Sequence, residues 1–264
     1  MKIVENGVCG KNINYELAED GVLSVSYVVG AEEWEWMEET PFGERSDILE
    51  VIITDGVLDI ADYAFKYCPE LRSVVMPEGL KRIGVGAFIG CAKLEHVELP
   101  QSVTYVGGRA FDGSIWMNNM PDGEIYMNSC FYSYKGVMPK RTNVTINEGT
   151  THVASTAFVS AYDALVEVLI PNTVVEIGEF AFIGCSGLRS ITIPKEVTLI
   201  EGYALVGCVA LEEIVCLAIE PPRAYYLCEV YDNCVLKVPY GSKQAYAEHE
   251  EWGKFRYIEE LDVE

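Results

Sequence analysis

Positive charge and histidine are both scarce in this chain. Nineteen Lys and Arg face 41 Asp and Glu, a net charge of −22, and there are only three histidines. A surface so negative repels phosphate backbones and anionic headgroups, so nucleic acid is not an expected partner. No stretch approaches the roughly 18 apolar residues of a spanning helix, so membrane insertion is not expected either. The first residues, Met-Lys-Ile-Val-Glu-Asn-Gly-Val-Cys-Gly, contain no apolar core of a signal peptide. On that reading a cytoplasmic location stays open. Paired C-x-x-C motifs, a histidine cluster, a P-loop, a nucleophile elbow and a metalloprotease helix are also missing. No catalytic constellation, metal site or cofactor is expected, and an enzyme is the least favoured class.

What the chain does have is a core and a period. Phe and Tyr alone number 9 and 16 among 264 residues, enough to fill a sizeable interior. Ala-Phe pairs recur at Ala64-Phe65, Ala87-Phe88, Ala110-Phe111, Ala157-Phe158 and Ala181-Phe182, with a variant at Ala204-Leu205. The intervals are 23, 23, 47, 24 and 23 residues, the 47 being two coils of which one is degenerate. Around the pairs runs an apolar alternation: Leu71-x-x-Val74-x-Met76-Pro77, Leu94-x-x-Val97-x-Leu99-Pro100 and Leu188-x-x-Ile191-x-Ile193-Pro194. Leu165, Val168, Ile170 and Pro171 fit with a one-residue offset, and Ile48, Val51 and Ile53 open the series.

Residues alternating with period 2 mark a short strand with one buried face. The following proline removes a ladder donor and ends it. Ile83-Gly84 and Ile177-Gly178 then turn the chain. The spacing of Ala-Phe-x-x-Cys suits one short helical turn, with the Phe in the core. One such coil cannot bury its own apolar face, and stacking coils joins the faces into a continuous interior. Cys68, Cys91, Cys185 and Cys208 share one repeat position and are expected to be small buried hydrophobes.

The series resembles the leucine-rich repeats of the BspA-like family of bacterial surface proteins. Residues 170 to 188 carry its Ile-Pro-x-x-Val-x-x-Ile-Gly-x-x-Ala-Phe-x-x-Cys-x-x-Leu pattern, with one extra residue after the Pro. The chain departs from repeats with an Asn ladder, since that position holds Gly79, Ser102, Thr173 or Glu196. The resemblance implies an α/β leucine-rich-repeat solenoid, with parallel strands on a concave face, short helical turns opposite and a cap at each end. It also implies a cell-surface or secreted protein that adheres to a protein or a glycan.

The expected organisation is an N-terminal β-hairpin cap over 1–47, the solenoid over 48–217 and a C-terminal cap over 218–264. Glu19-Asp20-Gly21 is a hairpin turn signal between Ile13–Leu17 and Val22–Val28. Trp34, Trp36, Met37 and Phe42 either cover the first coil or form an aromatic ligand site. Near 115–140 the repeat degenerates into a hairpin-like insertion carrying Trp116, Tyr126, Phe131, Tyr132 and Tyr134. These rings either patch the core or offer an interface. At the C-terminus a strand over Val235–Val238 and a short helix over Gly241–His249 are expected, and Pro221-Pro222 with Tyr225 and Tyr226 reads as a loop. Cys228 and Cys234 are close enough in sequence to pair in an exported protein.

If Val74 and its equivalents point inward, the alternate strand residues point outward. These are Glu50 and Ile52, Ser73 and Val75, His96 and Glu98, Asn143 and Thr145, Glu167 and Leu169, Ser190 and Thr192, Glu213 and Val215. The stripe alternates acidic and apolar side chains, and is read either as a binding face or as an ordinary solvated sheet. The favoured function is a protein-binding or adhesion module. The alternative is a structural spacer or self-assembling subunit without a foreign ligand.

Overall fold

The structure, a computed structural model, describes residues 2–28, 35–36 and 41–262. The chain divides into two compact units, 1–120 and 121–264. The break falls inside the segment where the repeat degenerates. Each unit is built from coils of two short strands and a turn, and each part hydrogen-bonds to its counterpart one coil on.

The first unit begins with an antiparallel meander, Ile3–Lys11, Ile13–Ala18 and Val22–Tyr27. The turn at Gly21 has φ +84°, which glycine adopts at little cost. The first of these strands is not evident in the sequence, because Asn6-Gly7 and Gly10 interrupt its alternation. From Val22–Tyr27 the pairing turns parallel and continues through Glu50–Ile53, Ser73–Val75 and His96–Val97. A second ladder stacks Asp59–Ile60, Arg82–Ile83 and Tyr105–Val106. Arg45 binds the meander to the first coil, donating to both Glu5 oxygens at 2.8 Å. Trp34 and Met37 lie outside the described residues. Trp36 lies on the short strand Glu35–Trp36, which pairs with Gly10 and Lys11.

The second unit opens with the hairpin Gly123–Met127 and Cys130–Lys135. Its second strand runs directly into a parallel ladder of His152–Val153, Glu176–Ile177, Leu199–Ile200 and Arg223–Ala224. Thr142–Thr145 pairs with Leu165–Leu169, and Ser190–Ile193, Glu213–Cys216, Val235–Val238 and Tyr257–Glu260 form a further parallel sheet. A helix over Lys243–Glu248 and a 3-10 turn over Trp252–Lys254 lie between its last two strands. Arg223–Ala224, expected as loop, contributes the final rung of its ladder.

The interior is columnar. Phe42, Phe65, Phe88 and Phe111 stack at 5.2, 5.2 and 5.5 Å in the first unit, so Phe42 continues the phenylalanine column. In the second, Phe131, Phe158 and Phe182 stack at 4.9 and 5.0 Å. Beside each column sit the repeat cysteines, and each thiol donates to a phenylalanine carbonyl of the preceding coil. Cys68 reaches Phe42 and Cys91 reaches Phe65 at 3.0 Å, Cys185 reaches Phe158 at 3.7 Å, and Cys208 reaches Phe182 at 3.2 Å. All nine cysteines, including Cys228 and Cys234, are buried free thiols. Burial pushes the Cys185 thiol up to about 12, which leaves it protonated and unreactive.

The Ala-Phe segments correct one expectation: they are turns, not helical turns. Tyr63, Phe65 and Tyr67 donate their amides to Val85, Ala87 and Ile89 of the next coil at 2.7–2.8 Å. Phe180, Phe182 and Gly184 do the same to Gly202, Ala204 and Val206. An amide committed to the next coil cannot bond four residues back in its own, so no helix forms. The left-handed backbone at Tyr63, Phe180 and Tyr203, with φ of 56°, 58° and 61°, turns the amides toward that neighbour. Among the described residues, helix is confined to Ile115–Asn118 and the C-terminal elements.

Close stacking has a direct test at glycine. A Cβ on Gly178 would lie 2.5 Å from the Ser155 backbone nitrogen, whereas one on Gly202 would meet nothing nearer than 3.6 Å. Backbone held in a ladder cannot move aside. Gly178→Ala is therefore expected to cost about 3 kcal/mol, and Gly202→Ala to stay within about 0.5 kcal/mol. Urea midpoints at constant slope would read the contrast; equal effects at the two sites would contradict the close approach.

Candidate functional site

The strand alternation sets out an outward face along the ladders of each unit. In the first, Val51, Ile53, Val74 and Val97 are buried, and Glu50, Ser73 and His96 stand in register between them. Ile52 stands opposite Val75, which is 49% exposed. His96 is exposed, with Nε2 at 3.5 Å from Glu95. Glu98, also exposed, lies one residue past the two-residue strand that ends at Val97, so it follows the ladder rather than belonging to it.

In the second unit Asn143 stands opposite Glu167 and donates to its Oε2 at 3.0 Å. Thr145 stands opposite Leu169, which is 51% exposed. Further on, Ser190, Glu213, Val235 and Tyr257 form one row, and Thr192, Val215, Lys237 and Glu259 the next. Lys237 binds Glu213 at 2.5 Å, and the Glu213 carboxylate holds the Lys237 ammonium above its usual range. Glu213 and Val215 are half-buried, while Thr192 is exposed.

Val235, Lys237, Tyr257 and Glu259 extend the face beyond the residues evident in the sequence. The strand Val235–Val238 is legible, and its alternation exposes Val235 and Lys237. Tyr257–Glu260 carries no such signal, because Tyr257, Glu259 and Glu260 are all exposed and only Ile258 is half-buried.

The aromatics of the degenerate segment differ in their burial. Trp116 belongs to the first unit and the tyrosines to the second. The Trp116 ring meets Phe111 edge-on at 4.9 Å, half-buried. Tyr132 is 1% exposed and is therefore core rather than surface. Tyr134 packs half-buried against the interior. Tyr126 donates to Glu124 at 3.0 Å and accepts from the Asn147 amide at 3.1 Å; burial pushes its hydroxyl up to about 12. Phe131 fills the interior column.

The histidines stand apart. His152 lies on the second ladder, half-buried, with Thr151 Oγ1 at 2.8 Å from its Nδ1 and Glu176 at 3.9 Å; burial holds its pKa below the usual value. His249 Nδ1 accepts the amides of Glu251 and Trp252. Among the described residues no cluster of His, Cys, Asp and Glu could hold a metal ion, and no helix is long and apolar enough to cross a membrane. The outward faces offer apolar anchors among carboxylates on a rigid ladder, chemistry suited to recognition.

Parallel ladders, a recurrent 23-residue coil and stacked phenylalanines define a leucine-rich-repeat β-solenoid. The chain belongs to the BspA type leucine rich repeat family, whose repeats match residues 35–158 and 124–221 in six copies. It is similar to a leucine-rich repeat protein of Eubacterium ventriosum, at 21% identity over 89% of this chain and 78% of that one, with a TM-score of 0.38. It is also similar to a leucine rich cell surface protein of Faecalibacterium prausnitzii, at 22% identity over 90% and 71% of the two chains, with a TM-score of 0.34. A Bacteroides ovatus leucine-rich repeat protein shares 19% identity over 95% and 76%, with a TM-score of 0.34. No curated protein matches the chain.

Proposed function

We propose that this chain is a non-catalytic binding module of a bacterial surface or secreted protein, and that it captures a protein ligand through its outward strand faces. The segments 1–47 and 218–264 then serve as caps over the solenoid of 48–217. The observation that carries this reading is the exposure of Val75 and Leu169, 49% and 51%, on ladders whose opposite side is core. Exposed aliphatic side chains among carboxylates, held rigid by a packed sheet, match the anchors and polar surround of protein interfaces. The acidic surroundings select a partner with basic groups around an apolar centre. Membership of a family of surface repeats supports the location.

The test is binding of the purified chain to an array of matrix proteins and glycans. A variant carrying Glu98→Arg, Glu167→Arg and Leu169→Asp together is expected to bind a protein hit at least tenfold more weakly, with an unchanged circular dichroism spectrum. Full binding by the folded variant would move the site off the strand faces. A folded protein without any hit, sedimenting as a concentration-dependent assembly, would make it a self-assembling spacer instead.

A further inference from the structure

We infer that the last coil and the segment that follows it form a carbohydrate site, a cleft that takes one pyranose ring against Tyr226. Phe180, Tyr203 and Tyr226 occupy the same turn position in successive coils, each with left-handed backbone. Outside the core, the Phe180 and Tyr203 rings stack at 5.1 Å, and Tyr226 leans against Tyr203 at 5.0 Å with the planes 42° apart. Within this column each ring is covered by the next. Tyr226 is the last, and the chain that passes beyond it supplies His249, Glu250 and Glu251 in place of a fourth ring. A cleft of about 320 Å³ remains, bounded by Arg223, Tyr225, Tyr226, His249, Glu250 and Lys254. That lies at the small end of the roughly 300–1,000 Å³ typical of ligand pockets, room for one ring. Tyr203 covers one side of Tyr226, which is nevertheless 49% exposed, and Tyr225 beside it is 58% exposed.

The polar groups around this ring face suit a sugar. An aromatic face is negative and attracts the weakly positive axial C–H groups of a pyranose. The hydroxyls at the sugar's rim both donate and accept, so they need fixed partners of both kinds. Arg223 supplies donors: its guanidinium contacts the Tyr225 hydroxyl at 3.4 Å and forms no ion pair with a carboxylate of the described residues. Glu250 supplies an exposed acceptor. His249 accepts two amides on Nδ1, so as a neutral ring it carries its proton on Nε2 and donates there. A planar guanidinium and a carboxylate each engage adjacent hydroxyls in pairs. A stacked nucleotide would bring phosphate beside Glu250 and Glu251 in a chain of net charge −22, which opposes it. The walls are fixed in advance, because buried Glu251 ties the C-terminal segment to the last coil through the Leu227 amide at 2.7 Å; a site ordered before binding loses less on occupation. None of these residues belongs to the outward strand faces, so this site and the proposed protein interface stand or fall separately.

The test is saturation-transfer NMR on the intact chain with the methyl glycosides of glucose, galactose, mannose and glucuronic acid. At least one is expected to receive saturation at its axial C–H protons. Tyr226→Phe keeps the ring and should bind within threefold of the parent. Tyr226→Gly removes the ring while suiting the positive φ of 44°, much as Gly86 does at the equivalent position, and should weaken binding at least tenfold. Arg223→Ala changes an exposed side chain and should weaken it at least threefold. Absence of transfer to all four sugars at millimolar concentration overturns the site, and so does undiminished binding by either loss variant once its thermal unfolding shows it folded.

Discussion

Phe182→Ala is expected to destabilise the second unit by about 3–5 kcal/mol, the range for emptying a buried phenylalanine site. The ring is fully buried and stacks on Phe158 at 5.0 Å with the planes 13° apart. Its surroundings cannot collapse into the space. The backbone on one side is held by the Phe158 amide bonding to Ala181 and on the other by the Phe182 amide bonding to Ala204. Those ladders keep the coils a fixed distance apart whether or not the ring is present, so the cavity persists and its full cost is felt. Since a domain is stable by only about 5–15 kcal/mol in total, the loss would take a large share. Phe182→Leu should cost less than half as much, because a leucine, Leu205, already fills the same position one coil on and is buried there. Repeat stability is a sum of near-neighbour terms, so amides of the two adjacent coils should lose hydrogen-exchange protection first. A loss below 1 kcal/mol in urea unfolding, or exchange that rises evenly over the unit, would show that the column does not hold the coils together.

That column is also the part of the fold most legible in the sequence. The recurrence of Ala-Phe sets the phase of the regular coils, and the period-2 apolar pairs identify Val51, Val74, Val97, Val168, Ile191 and Ile214 as inward residues, all of them buried. Legibility fails where spacing and bonding part company. Met76 and Leu99 continue the alternation, yet both are only half-buried, because their strands end at Val75 and Val97. A run with helical spacing reads as a helical turn, but amides drawn to the next coil leave none for a helix, and no local pattern announces that Tyr63 or Phe180 adopts left-handed backbone. Tyr132, in a broken repeat, reads either as a core patch or as an interface ring. It is buried because its strand enters the ladder at Cys130 and Phe131, which pair with His152 and Val153 one coil further on. The outward strand faces follow from alternation as far as Val238, but not at Tyr257–Glu260. The cleft at Tyr226 does not, since Arg223 and Lys254 meet only after the chain has passed through a strand and a helix that the repeat does not contain.

Glu251 is where that passage is secured, and Glu251→Leu is expected to cost about 2–4 kcal/mol, the penalty of leaving a buried amide and a half-buried hydroxyl without their acceptor. In the preceding coils the amide at this turn position bonds to the next coil's carbonyl: Phe182 to Ala204, and Leu205 to Leu227. Leu227 has no such coil above it. The Glu251 carboxylate stands in, accepting the Leu227 amide at 2.7 Å, the Tyr231 hydroxyl in a short hydrogen bond, and Lys254 at 2.5 Å. With leucine there, a buried amide and a half-buried hydroxyl lose their acceptor and Lys254 its partner. Burial alone would raise the Glu251 pKa, but the contacts from Lys254, Tyr231 and Leu227 outweigh it and hold the carboxyl below its ordinary 4.5. A carboxyl lowered in the folded state stabilises fully above the unfolded value, and that contribution drains away as pH falls through the folded one. The Glu251 side chain is 5% exposed but Lys254 is 44% exposed, so solvent screens the ion pair and the hydrogen bonds from the Leu227 amide and the Tyr231 hydroxyl carry more of the effect. Glu251→Gln keeps the shape and cannot titrate. The parent should therefore exceed Glu251→Gln in stability at pH 7, and the gap should narrow steadily once the pH drops below about 4.5. Urea unfolding of both proteins from pH 7 to pH 3 reads this directly. A gap that stays constant over that range would mean the carboxylate's charge contributes nothing, leaving the C-terminal segment held to the last coil by uncharged contacts such as the hydrogen bonds of Tyr246 to Ala218 and of Trp252 to Pro222.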